Sequence, residues 1–196
     1  MKNLTLLTIA LTCLMLACKN KEQKTTDKPE QQKQEKNFFP VADYIKSEIA
    51  YVDSIPVGLV KFTTINGKKD SAFIKTEDFD KLAKSFLPKE IADSMFEAQF
   101  DETSFFDQTT QLSTFTYSTK NPNLKIQRVD VVAEPNSGFS KVRSIYMEEK
   151  ENVSDTLITR KMYWRSKKSF DIITLTQFDG QQTLSNQLRV VWDNRD

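Results

Sequence analysis

Three clusters of side chains in this 196-residue chain bring reactive groups close together in sequence. The first is Asp101-Glu102 with Asp107, set among Phe100, Phe105 and Phe106. Neighbouring carboxylates in an apolar setting can be driven apart in pKa to act as acid and base, or can hold a hard cation. The spacing fits no calcium loop, and the glycine such a loop needs is missing. The competing reading is a solvated loop whose phenylalanines plug the core. The second cluster is Glu148-Glu149-Lys150-Glu151, which in a strand alternates across both faces and reads as a solvated strand end. The third is basic and aromatic: Arg160, Lys161, Tyr163, Trp164 and Arg165, with Lys167 and Lys168 in the turn that follows. In a strand, Arg160, Met162 and Trp164 share one face, and Lys161, Tyr163 and Arg165 share the other. Exposed Tyr or Trp beside Arg marks an interaction surface. Arg160, Lys161, Tyr163, Trp164 and Arg165 are therefore the predicted site for a partner or a sugar. A sheet edge guarded by lysines has the same composition.

Absences narrow the chemistry further. The chain contains no histidine, the usual general base near neutral pH and the commonest metal ligand. Ser-His-Asp and Cys-His catalysis and His-ligated zinc are excluded. Carboxylate-only catalysis, Ser-Lys pairs and oxygen-liganded calcium or magnesium remain. Glycine is scarce, with four in the chain, and neither GxGxxG nor GxxxxGK[ST] occurs, which argues against phosphate-cradling loops. No cofactor and no metal site is predicted.

The elements that must position these residues fall into two halves. Val41, Tyr44, Ile45, Ile49 and Val52 recur at helical spacing over Val41–Asp53, behind Pro40. Val57–Ile65 and Asp70–Lys75 read as strands around Asn66-Gly67, a strong hairpin signal. Thr76 is the predicted N-cap of a helix whose stripe is Phe79, Leu82, Ala83, Phe86 and Leu87, stopped by Pro88. A short helix over Glu90–Ala98 follows. The second half reads as strand after strand: Leu112–Thr119, Lys125–Ala133, Lys141–Glu149, Thr156–Arg165, Phe170–Phe178 and Thr183–Asp193. Turn-forming pieces such as Pro135-Asn136-Ser137-Gly138 and Asp179-Gly180 separate them. In the last strand Leu184, Leu188, Val190 and Trp192 face one way, so Trp192 is expected in the core; Gln187, Arg189 and Asp193 face the other. The predicted fold is α+β, an antiparallel β-meander of about six to eight strands with two or three N-terminal helices packed on it.

The N-terminus has the order of a secretory signal: Lys2, an apolar run from Leu4 to Ala17, then Cys18. The run is shorter than the roughly 20 residues that span a bilayer. Leu14-Met15-Leu16-Ala17-Cys18 resembles the lipobox of bacterial lipoproteins. Ala17 and Cys18 fit that pattern; Met15 and Leu16 depart from it. The resemblance implies cleavage before Cys18, lipidation of Cys18 and attachment to a membrane. An ordinary cleaved signal with an incidental cysteine is the alternative. Loss of Met1–Ala17 removes Cys13 and one charge, Lys2, leaving 27 basic against 27 acidic residues and no free thiol. A neutral chain lacks the electrostatic footprint of a nucleic-acid binder. Lys19–Asn37 holds six lysines and four acids with nothing to bury, and reads as a disordered tether with a span on the order of 25 Å. It would either rest on anionic lipid or serve as a plain solvated linker. The organisation is thus a signal at Met1–Ala17, lipidated Cys18 with a tether to Asn37, and one domain over Phe38–Asp196.

Asp53-Ser54-Ile55, Asp70-Ser71-Ala72, Asp93-Ser94-Met95 and Asp155-Thr156-Leu157 repeat an Asp–hydroxyl–apolar pattern. It is similar to the O-glycosylation acceptor of some exported Gram-negative proteins, and also to ordinary turn and cap chemistry. Tyr163-Trp164 together with Val190-Val191-Trp192-Asp193 resembles the end of uncharacterised envelope lipoproteins of similar length, a family without an assigned activity. Lys19 stands where inner-membrane retention would place Asp, and the residues after Cys18 are basic where surface export would place acids. The resemblance therefore implies the outer membrane, facing the periplasm. The expected function is a lipid-anchored, non-enzymatic envelope module that binds or scaffolds a protein or glycan. The alternatives are a carrier of an apolar ligand, for which 14 phenylalanines could line a sheet–helix cavity, and a carboxylate-dependent hydrolase.

Overall fold

Val41, Tyr44, Ile45, Glu48 and Val52 recur three and four residues apart and form the buried stripe of helix α1 (Val41–Ser54), as helical periodicity requires. The computed structural model describes residues 38–196 except 93–94, 136–140, 194 and 196. The predicted signal, Cys18, the tether to Asn37, the Asp93-Ser94 pair and the turn residues 136–138 lie outside the described residues.

Strands β1 (Leu59–Ile65) and β2 (Lys68–Ile74) follow as a hairpin. Asn66 and Gly67 take φ of 48° and 78°, the left-handed pair that a two-residue primed turn needs. Helix α2 (Thr76–Ala83) continues into a single 3-10 turn at Lys84–Phe86 and buries Phe79, Ala83 and Phe86. The cap expected at Thr76 lies one residue earlier, at Lys75, and Thr76 opens the helix itself. The helix expected over Glu90–Ala98 is two short pieces, α3 (Lys89–Ala92) and α4 (Met95–Gln99).

The remaining strands are β3 (Asp101–Asp107), β4 (Leu112–Ser118), β5 (Ile126–Ala133), β6 (Val142–Val153), β7 (Thr156–Arg165), β8 (Ser169–Phe178) and β9 (Gln181–Val191). Together they make one sheet of nine strands in the order β2-β1-β9-β8-β7-β6-β5-β4-β3, with every neighbouring pair antiparallel. The α+β class stands, with two corrections. The sheet exceeds the expected strand number because Asp101–Asp107, read as a loop, pairs with β4 as an edge strand. The helices are not gathered N-terminal to the sheet either. The β1–β2 hairpin separates α1 from α2 and docks on β9, joining the first hairpin to the last strand.

Register stacks the side chains into rows across the sheet. Phe115, Val131, Ile145, Trp164, Phe170 and Val190 stand side by side on β4 through β9, and Tyr117, Val129, Met147, Met162, Ile172 and Leu188 form the adjoining row. These rows and the helices above them make the core. Phe86 meets Trp164 edge-on with ring centres 5.1 Å apart, Phe170 stacks on Trp164 at 5.4 Å, and Trp192 closes the group at 5.5 Å from Trp164. Each such ring pair adds about 0.5–1.5 kcal/mol beyond its buried area. Trp192 is buried as expected. The alternation used to place it is not continuous, since an irregularity in the β8–β9 pairing falls between Leu184 and Asn186; the side chain of Leu184 is outside the described residues.

Trp164→Ala should lower unfolding free energy by about 3–5 kcal/mol, the usual cost of truncating a buried aromatic. Denaturant titration of the variant checks this, and a midpoint within experimental error of the parent would contradict the packing described.

Candidate functional site

Strand β7 splits the basic-aromatic cluster between two environments. Trp164 was expected beside a partner, yet its exposure is 0%. The correction follows from register, which sets it between Ile145 and Phe170 on the helix-covered face. Arg160 shares that face near the other end of the strand, where its guanidinium reaches Glu149 at 3.4 Å and Glu151 at 3.2 Å. It is therefore engaged within the fold. Lys161, Tyr163 and Arg165 lie on the uncovered face. Lys161 and Tyr163 are exposed, and Arg165 is half-buried.

The uncovered face is laced across its strands by charge. Thr116 donates to Asp130 at 2.8 Å, and Arg128 donates to the same carboxylate at 2.8 Å. The Tyr146 hydroxyl donates to Glu148 at 3.1 Å. Arg165 donates to Asp171 at 2.9 Å, and Arg189 approaches the other oxygen of Asp171 at 3.8 Å. The Arg165 guanidinium also sits 5.8 Å from the centre of the Tyr163 ring, within cation–π range.

At one end of this face, the residues flanking the β5–β6 connection and the β7–β8 turn border a groove of about 500 Å³. Among the described residues its cations are Lys141, Arg143, Arg165, Lys167 and Lys168, its lining carboxylate is Glu134, and Tyr163 supplies an aromatic wall. Glu134 takes Lys141 and Arg143, each at 2.7 Å. Lys141 and Arg143 in turn hold its carboxyl below the ordinary carboxylate range, Lys141 having the larger effect. The Lys167 ammonium lies 5.3 Å from the Tyr51 ring centre. Four of the predicted residues or their turn neighbours, Tyr163, Arg165, Lys167 and Lys168, thus meet here without Trp164.

The turn bearing Lys167 and Lys168 is fixed from below by a residue not singled out in the sequence. Glu48 of α1 is 4% exposed. It accepts hydrogen bonds from the Lys167 backbone N–H at 2.7 Å and from the Trp164 indole N–H at 3.2 Å. The Tyr44 hydroxyl donates to Ser166 in the same turn at 2.8 Å, and burial pushes the Tyr44 phenol far up from its ordinary value. Lys167 itself has φ 56°, a left-handed conformation that a non-glycine residue holds only when its surroundings enforce it. Glu48 falls between Tyr44 and Val52 on the apolar stripe, so a lone charge on a buried face was its sequence signal.

The carboxylate cluster is dispersed. Asp101 and Asp107 lie on one face of β3 and Glu102 on the other, all of them solvated or half-exposed. Phe100 is buried, whereas Phe105 and Phe106 are exposed and do not plug the core. Asp107 caps its turn, accepting from the Thr109 N–H at 2.8 Å, and that bond lowers its pKa. In the Glu148–Glu151 run, Glu149 departs from the solvated reading. It is buried and paired with Lys125 at 3.4 Å as well as with Arg160. Two acids that do meet, Asp53 and Asp80, face each other between α1 and α2; burial and the Asp80 charge raise the Asp53 pKa. No protein-family model and no curated protein matches the chain.

Burial raises the phenols of Tyr117 and Tyr146 from the ordinary 10.0 to about 12, and the Glu148 charge adds to the effect at Tyr146. A phenol whose folded pKa lies above its unfolded value adds stability that is complete below the unfolded pKa and is lost as pH rises toward the folded one. An alkaline absorbance titration should show three tyrosines ionising late, Tyr44, Tyr117 and Tyr146. Tyr146→Phe should remove one of the late-titrating groups, and an unchanged titration would contradict the assignment.

Proposed function

We propose that this protein is a lipid-anchored module of the cell envelope whose sheet domain binds an anionic partner through the groove at the β7–β8 turn. The observation that carries the binding reading is the groove's composition among the described residues: five cations and a tyrosine against one carboxylate. Cations on a pre-shaped turn suit carboxylate or phosphate groups, because charge-assisted hydrogen bonds are stronger than neutral ones. The aromatic wall suits a sugar ring or a side chain beside the charge. An acidic glycan or an acidic protein surface offers that chemistry. Phe79, Phe86, Trp164, Phe170 and Trp192 occupy the space between sheet and helices, which favours surface binding over carriage of an apolar ligand. The anchor rests on the order of Lys2, the apolar run, Ala17 and Cys18. The basic residues after Cys18 favour the periplasmic side of the outer membrane.

Two experiments test the two halves of this reading. Cys18→Ser should abolish fatty-acid labelling and release the chain from the membrane fraction; a variant that still fractionates and migrates like the parent would contradict the anchor. Lys167→Gln with Lys168→Gln removes charge from the turn without touching the core. The pair should weaken retention on a polyuronate glycan by roughly tenfold at low salt, with an uncharged glycan as control. Equal retention of the variant and the parent would overturn the binding reading.

A further inference from the structure

The two outer edges of the sheet have opposite characters. β2 ends the sheet on one side and β3 on the other, so each presents a row of backbone donors and acceptors with no neighbouring strand among the described residues. Natural edges are normally blunted with charge, and both edges here carry some. The signs differ: Lys68 and Lys69 against Asp70 on β2, Asp101, Glu102 and Asp107 on β3. Each edge also exposes a large aromatic ring to water, Phe73 at 83% and Phe105 at 68%. An edge that combines charge with an exposed phenylalanine is protected against its own kind more than against every strand.

Register makes the two edges complementary in position as well as in charge. Phe73 pairs with Val60, and the row continues through Val191, Ser169, Arg165, Ser144, Val132 and Thr114 to Phe105. The two exposed rings therefore stand at opposite ends of one row on the uncovered face. Every step between neighbouring strands is antiparallel, and the edges are the first and last of nine strands, so β2 and β3 run in the same sense within the sheet. A second copy placed to continue the sheet, turned by its accumulated twist, would set its β3 beside β2 as a parallel pair with the helix-covered faces on the same side. Phe73 would then lie beside Phe105, and Lys69 beside Asp101, four residues earlier on both strands. On the covered face Ile74 would lie beside Phe106. The one like-charge neighbour is Asp70 with Glu102, and Lys68, two positions along on the same face, offsets it. Pairing β3 with β3 instead joins two acidic strands.

We propose that this protein associates with further copies of itself head to tail, the β2 edge of one copy pairing with the β3 edge of the next to continue the sheet. Such a contact uses different surfaces on the two partners and leaves both outer edges free, so it propagates as an open-ended row instead of closing as a dimer. It involves none of the groove residues and is independent of the binding reading above.

Full-length chains carrying Phe73→Cys and Phe105→Cys, each with its own tag, test the contact directly. Both rings are exposed, so neither change disturbs the core, and the parent chain with Cys18 sets the background. On co-expression and oxidation, disulfide-linked mixed dimers should exceed either like-chain dimer by roughly tenfold. Absence of the mixed product, or equal yields of like-chain dimers, would overturn the proposal. Adding Lys68→Glu with Lys69→Glu to the Phe73→Cys chain should abolish the mixed product. Adding Asp101→Lys with Glu102→Lys to the other chain should restore it, and failure to restore it would overturn the charge pairing.

Discussion

The Glu48 carboxylate lies at 4% exposure between a helix and a hairpin turn, and most of the architecture around the groove depends on how its burial is compensated. An unpaired buried carboxylate costs several kcal/mol. Among the described residues no cationic side chain forms an ion pair with it. The compensation comes from donors of the β7–β8 hairpin, the Lys167 backbone N–H and the Trp164 indole N–H. One carboxylate thus ties α1 to the sheet, the orientation of the Trp164 indole and the left-handed conformation at Lys167. Removing it would take the acceptor from the Trp164 indole N–H, the Lys167 amide and the Ser166 hydroxyl, at about 1–3 kcal/mol for each donor left buried without a partner.

The consequence for the surface follows from the pleat. Alternation along β7 sends Trp164 toward Glu48 and the helices, and sends its neighbours Tyr163 and Arg165 to the other side. The covered face is organised by aromatic packing and by two buried acids, Glu48 near one end and Glu149 farther along. The uncovered face is organised by hydrogen-bonded charge running from Thr116 and Asp130 on β4 and β5 to Asp171 and Arg189 on β8 and β9. Because that face is already satisfied internally over much of its width, the cations left to meet a partner concentrate at the turn end, where Lys167 and Lys168 project beyond the last strand residues.

Much of this was legible where local chemistry decides the outcome. Thr156–Arg165 has the bounds expected from its β-branched and aromatic run, Asn66-Gly67 makes the expected turn, and the spacing of Val41, Tyr44, Ile45 and Val52 gives α1. The failures have a common cause, which is that register is not a local property. The two faces of β7 could be separated by periodicity, but which one the helices cover depends on Trp164 aligning with Phe170 and Val190 two strands away. Strand β3 escaped notice because all its side chains are exposed or nearly so, leaving no apolar alternation to find; its existence rests on backbone pairing with β4. The groove residues come from two separate hairpins, so their meeting is likewise not legible in the sequence, although Tyr163, Arg165, Lys167 and Lys168 each stand out by type.

A buried acid in α1 thus shapes the cationic turn at the end of the sheet, through a direct hydrogen bond to the Lys167 amide. Hydrogen exchange at the Lys167 amide tests that link most directly, because protection reports the bond to Glu48 itself. In the parent chain this turn amide should exchange as slowly as the flanking strand amides, and in Glu48→Ala it should exchange at the rate of an open turn while the β7–β8 ladder stays protected. A Lys167 amide that exchanges rapidly in the parent, or equally slowly in both chains, would contradict the role given to Glu48.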